Sequence, residues 1–157
     1  MIVCNQNDMQ SYRTRIEVTS TPEDVFDHIN DVPKWWLREA GGANTEFEGK
    51  SSSLGDEFIL RHSDAHYSKH KLVELVPGKK VVWLVTHSRL NWIKENKAEW
   101  TGTKMIFEIT PDREKTTLMF THEGLVPRLE CYEHCGHFWD RVIKDWLYNF
   151  ITNGAGE

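Results

Sequence analysis

This chain is poor in everything that would make it something other than an ordinary folded domain. Its cysteines are only Cys4, Cys131 and Cys135, an odd number with two of them four residues apart, which suits reduced thiols and not a disulfide framework. No apolar run is long enough to cross a bilayer, so no membrane insertion is expected. Residues 1–10 lack a charged region followed by an apolar segment, hence no signal peptide is read there and the cytoplasm is the expected compartment. The net charge of -5, with lysines scattered among acids, leaves no basic stripe for a phosphate backbone, and nucleic acid is not an expected partner. There is no internal repeat and no low-complexity tract. A phosphate-cradling glycine loop, a serine elbow and a paired-carboxylate site are all missing, and no cofactor is expected.

What is present is a core and many large rings to fill it. A hydrophobic content of 39% against 27% charged residues rules out disorder by composition. The length, 157 residues, predicts one domain spanning 1–157 with an ordered core at about 12–151, burying roughly two-thirds of its unfolded surface. Seven tryptophans need either a large core or a cavity to line.

The final third sets the architecture. Cys131, Cys135, Phe138, Trp139, Val142, Ile143, Trp146, Leu147, Phe150 and Ile151 recur at three- and four-residue steps, the stripe of an amphipathic helix. About twenty helical residues span roughly 30 Å, so a sheet as large as the domain is the natural cover. Period-two alternation supplies that sheet, with strands predicted at 12–18, 57–62, 66–76, 80–89, 103–110 and 116–123 and a short edge strand at 45–48. Thr21 and Pro22 mark the start of a short helix ending near Asn30. Pro77-Gly78 breaks the chain between two strands, and Pro111-Asp112-Arg113-Glu114 reads as a polar hairpin loop. Each strand pair is expected to be antiparallel. The fold class is α+β, a curved antiparallel sheet wrapped around a long C-terminal helix.

Several separated segments match one known family in order. They are Val32 to Trp36, Val73 to Trp83, Gly102 to Glu108, Phe120 to Leu125 and Gly136 to Trp139. In these the chain resembles the START-like (SRPBCC) superfamily, and within it the bacterial branch named after the C-terminal domain of the heat-shock protein 90 ATPase activator. The resemblance implies the helix-grip fold, and with it either a hydrophobic-ligand cavity or a chaperone partner and a stress-response role. The known activator carries a separate N-terminal domain, whereas only residues 1–11 precede the first predicted strand here.

Parity places Met105, Phe107, Ile109, Leu118, Phe120 and His122 on the inward face of two neighbouring strands. The expected cavity-lining set is Trp36, Trp83, Phe107, Phe120, His122 and Trp139, with Trp36 at the mouth, as the resemblance implies, and Trp139 on the roof. The expected ligand is a small hydrophobic or aromatic molecule, bound without catalysis. His122 is the sharpest of these residues, because a titratable ring on an apolar face could orient a ligand, or serve as general base beside Glu57 or Tyr67 in a cyclase or hydrolase. The plain alternative is a packed histidine. Cys131, His134, Cys135 and His137 have the residue types of a zinc site, but His137 points to another helix face, so no metal is expected. His62, Asp64, His66 and His70 cluster round a turn, with His66 and His70 sharing one face, and the neighbouring Lys69 and Lys71 predict a solvated surface.

Overall fold

The computed structural model describes residues 10–37 and 44–153; Cys4 and residues 41–43 of the glycine- and serine-rich segment lie outside them. Seven strands form one sheet: β1 (Tyr12–Val18), β2 (Thr45–Gly49), β3 (Glu57–His62), β4 (His66–Val76), β5 (Lys80–Leu90), β6 (Lys104–Asp112) and β7 (Lys115–Glu123). Their spatial order is β1-β7-β6-β5-β4-β3-β2, antiparallel at every step. Only the β1–β7 contact joins strands distant in sequence. It places the first strand beside the one that leads into the last helix.

Thr21 caps α1 (Pro22–Asn30) by accepting the Asp24 backbone N–H at 3.1 Å, and Pro22 fills an early position whose N–H would be unused. Val25 and Ile29 form its buried face. A π-helical turn, Pro33–Leu37, follows and buries both Trp35 and Trp36. The concave face of the sheet is then covered by one continuous C-terminal helix made of α2 (Tyr132–Arg141), a second π turn (Val142–Leu147) and α3 (Tyr148–Asn153).

That π turn follows from the apolar spacing. Cys135, Trp139, Ile143, Leu147 and Ile151 are buried at unbroken four-residue steps. A regular α-helix repeats every 3.6 residues, so each such step overshoots by about 40° and four of them drift by about 160°. A turn bonded i to i+5 is wider than four residues and brings the stripe back over the sheet.

Two expectations need correction. The hairpin after β6 is tighter than a four-residue loop: Pro111 and Asp112 pair with Thr116 and Lys115, and Arg113 takes a left-handed φ of 61° in the two-residue turn. Pro111 is tolerated because β5 pairs with β6 only as far as Glu108, leaving no partner on its other side. The second concerns His66 and His70, which face the interior and not solvent. In β4 the residues His66, Ser68, His70 and Leu72 share the inward parity, while Lys69 and Lys71 take the outer face. Pairing with Leu72 and Met105 also settles that Trp83 points inward from β5.

Candidate ligand cavity

At one end of the helix the sheet and helix part and leave a cavity of about 350 Å³. The β3–β4 hairpin provides Thr45 from the neighbouring strand, His62, Ala65 and His66 as one wall. The segment between β5 and β6 brings Trp92 and Trp100. The C-terminal helix adds His134, Cys135, Phe138, Arg141 and Trp146, and Trp36 closes the side nearest α1.

Each wall is held by identifiable bonds. Lys97 Nζ donates to the carbonyls of Asn91 and Ile93 at 2.7 and 2.6 Å, which folds the Trp92 segment on itself. Glu130 accepts the backbone N–H groups of Lys94 and Glu95, and Glu99 accepts that of Cys131 at 3.1 Å, so the same segment is tied to the helix entrance. Trp36 packs edge-on against Phe138, Trp139 and Trp146 at ring separations of 5.9, 6.1 and 5.7 Å. Trp100 stacks on Trp139 at 5.8 Å and meets His66 edge-on at 5.2 Å. Such aromatic contacts add about 0.5–1.5 kcal/mol beyond area burial, and they stiffen the walls.

The helix contributes its lining through the π turn. His134, Phe138 and Arg141 lie on one α-helical stripe at steps of four and three. One more regular step of four would present Asp145. The i-to-i+5 turn presents Trp146 instead, and an indole replaces a carboxylate on the wall.

Of the six residues expected to line a cavity, Trp36 lies on its wall. Trp83, Phe107, Phe120, His122 and Trp139 are fully buried behind it and are absent from the lining. Phe107, Phe120 and His122 face inward as their strand parity reads, but the group is filled in by its own members: Phe107 lies 5.0 Å from Phe120, Phe120 4.5 Å from Trp139, and Trp83 4.9 Å from Phe107. Inward facing and cavity facing are different properties.

His122 is a structural node. Thr103 Oγ1 donates its one proton to the Trp100 carbonyl at 2.6 Å, so the 2.8 Å contact with His122 is donation from Nε2–H to that oxygen. Trp139 Nε1–H donates to Nδ1 at 3.0 Å. Both ring nitrogens are used and the ring is neutral. Burial lowers its pKa to about 3, and the Trp139 N–H occupies the place a second proton would need. Glu57 and Tyr67 are not brought to it: Glu57 pairs with Lys69 on the outer face, and Tyr67 lies beneath the Arg61 guanidinium.

His62, His66 and His134 are the imidazoles that reach the cavity, and His66 is the one tied into the core. Its Nε2 and that of His70 both contact the Ser68 hydroxyl at 2.8 Å, a chain running from the cavity wall into the core. Burial holds His66 down to about 4 and His70 well below its ordinary value, so both are neutral near pH 7. Thr45 meets His62 Nδ1 at 2.9 Å. His134 lies against Trp92, their rings 4.4 Å apart.

Cys131 and Cys135 are buried and unbridged, and hydrogen bonding between them together with burial pushes the Cys131 thiol up, away from the thiolate that metal binding or nucleophilic attack requires. His134 and His137 are exposed, and among the described residues no group of three or more His, Cys, Asp or Glu side chains is arranged to hold a metal.

Trp92, Trp100, Phe138 and Arg141 complete the wall without having been singled out for it, and Trp146, one of the helix tryptophans that could line a cavity, joins them. The signal for Phe138 and Trp146 was in the helix stripe; Trp92 and Trp100 lie in a segment with neither helical nor strand period, where spacing carries no facing information.

No family model matches the sequence, and no curated protein matches it significantly. Solved structures do match. The Aha1 dimer from Colwellia psychrerythraea superposes with a TM-score of 0.69 at 19% identity, covering 93% of this chain and 98% of that one. DynU16, from the dynemicin biosynthetic locus, gives 0.63 at 13% identity over 91% of this chain but only 47% of its own, so this chain spans about half its length. CalU16 from Micromonospora echinospora gives 0.58 at 11% identity, covering 92% and 77%. The fold is thus the START-like helix grip, and at these identities the likeness extends to the fold alone.

Proposed function

We propose that this START-like chain is a non-catalytic, cytoplasmic single-domain protein that binds a small, flat, largely apolar molecule between the sheet and the C-terminal helix. The observation that carries the reading is the cavity of about 350 Å³ walled by Trp36, Trp92, Trp100, Phe138 and Trp146, which falls in the size range of small-molecule sites. Rigid aromatic walls favour planar ligands, because stacking faces are offered without ordering flexible side chains. Of the residues first expected as contacts, Trp36 remains a direct one, while Trp83, Phe107, Phe120, His122 and Trp139 support the wall from behind. Thermal-shift and NMR titration with a library of lipids and aromatic compounds tests this. Aromatic hits that shift the Trp36, Trp92 and Trp100 indole resonances are expected. A library without hits, or hits mapping away from these indoles, defeats the proposal.

A second reading, a co-chaperone-like regulator of a heat-shock protein 90 ATPase, draws on the likeness to the Aha1 dimer along nearly the full length of both chains. Purified protein is expected in that case to stimulate the ATPase of its cognate chaperone, and no change at saturating protein removes the idea. The cyclase or hydrolase reading has lost its base, since His122 has both nitrogens engaged inside the core.

A further inference from the structure

The charge of the cavity wall runs opposite to that of the chain. With 24 Asp and Glu against 19 Lys and Arg, the protein carries a net charge of -5, yet among the described residues no carboxylate lines the cavity. Its basic lining is Arg61, Arg141, His62, His66 and His134. Arg61 is already committed, its guanidinium 3.1 Å from Glu48 and lying over the Tyr67 ring on the outer face. Arg141 makes no ion pair among the described residues.

The hydrogen-bond chain behind His66 determines what that ring offers. Ser68 is fully buried with one proton and two lone pairs; if both imidazoles donated to its oxygen, that proton would be stranded without an acceptor, so one imidazole donates and the other accepts. His70 Nδ1 is buried without a partner. Orphaned buried N–H groups are rarer than under-satisfied acceptors, so the tautomer that leaves Nδ1 of His70 as a bare lone pair is preferred. His70 Nε2–H then donates to Ser68, Ser68 donates to His66 Nε2, and the His66 proton sits on Nδ1. That nitrogen has no partner among the described residues, on a ring that lines the cavity. Among the described residues the wall therefore holds a neutral N–H donor and a guanidinium without an ion-pair partner, and no carboxylate lines it to balance them.

Resting on the reading of the cavity as a ligand site, we propose that its ligand is an aromatic acid: a planar ring system seated among Trp36, Trp92, Trp100 and Phe138, with a carboxylate held by His66 Nδ1–H and Arg141. A neutral ring of the same shape would fill the apolar space but leave the guanidinium unpaired. An amine would meet cations and no acceptor of matching charge.

Calorimetric titration with 2-naphthoate and its neutral isostere 2-naphthamide near neutral pH tests this. The acid is expected to bind at least about tenfold more tightly, the scale of a hydrogen bond to a charged group. Arg141→Gln, at an exposed position, should remove most of that preference, and His66→Gln should reduce it further. Equal affinities, or a preference surviving both substitutions, overturn the acid assignment and leave the apolar cavity standing. If neither compound binds while the wider library yields neutral hits, the acid assignment alone fails; if the library is empty as well, both readings fail.

Discussion

Trp139 donates its indole N–H to Nδ1 of His122 at 3.0 Å, joining the C-terminal helix to β7 through a bond that exists only while the histidine is neutral. The bond explains how a polar ring is accommodated in an apolar core. It also makes the core sensitive to acid.

Replacing Trp139 with Phe keeps a ring but removes the donor, leaving a buried lone pair. The expected cost is about 1–3 kcal/mol in urea unfolding. With Nδ1 free to take a proton, the His122 pKa should rise from about 3, measurable by NMR titration of its ring protons. An unchanged pKa would mean that burial alone sets it.

Acid should unfold the protein before most carboxylates titrate. In the unfolded chain these histidines take up protons near 6.5, whereas the folded state holds off His66 until about 4 and His122 until about 3, with His70 also lowered. The unfolded state thus binds more protons below pH 6.5, and stability present above that value is lost progressively as pH falls through the window. Each such histidine contributes a slope of about 1.4 kcal/mol per pH unit. Chemical unfolding at a series of pH values between about 7 and 4 should show this fall; a flat profile would contradict the assigned neutral rings.

Gly124 follows β7 with a φ of 102°, and a Cβ there would come within 2.7 Å of Thr103 Cγ2. Thr103 is the acceptor for His122, so Gly124→Ala combines backbone strain with displacement of that acceptor. A loss of more than about 1 kcal/mol is expected, with a shifted His122 resonance as its local signature.

Deleting Lys144, an exposed residue within the π turn, should convert it to regular α-helix. Trp146 would then stand four residues after Arg141 and remain on the cavity wall, so folding and aromatic-ligand binding should persist. Deleting exposed His137 from α2 shifts the buried stripe with no wide turn to absorb it, and should unfold the chain or abolish binding. Circular dichroism and thermal melts of the two variants compare them directly.

Much of this was legible in linear order. Alternation in Tyr12–Val18, Glu57–His62 and His66–Val76 gave strands with those bounds, because a half-buried strand writes its two faces into every second residue. The four-residue steps through Ile151 even held the signal for the π turn, although a simple amphipathic pattern hides it. The neighbouring lysines misled about His66 and His70, since adjacent residues of a strand point to opposite faces and say nothing about each other's surroundings.

The cavity was another matter. Sequence alone determined the layering of a sheet on a long C-terminal helix and the inward faces of β6 and β7, because periodicity is a local property of the backbone. Only the tertiary structure decided that Trp83, Phe107, Phe120, His122 and Trp139 fill the space between one another while Trp36, Trp92, Trp100 and Phe138 leave some unfilled. Whether inward side chains meet or leave a gap depends on contacts between residues far apart in the chain, which no local period encodes.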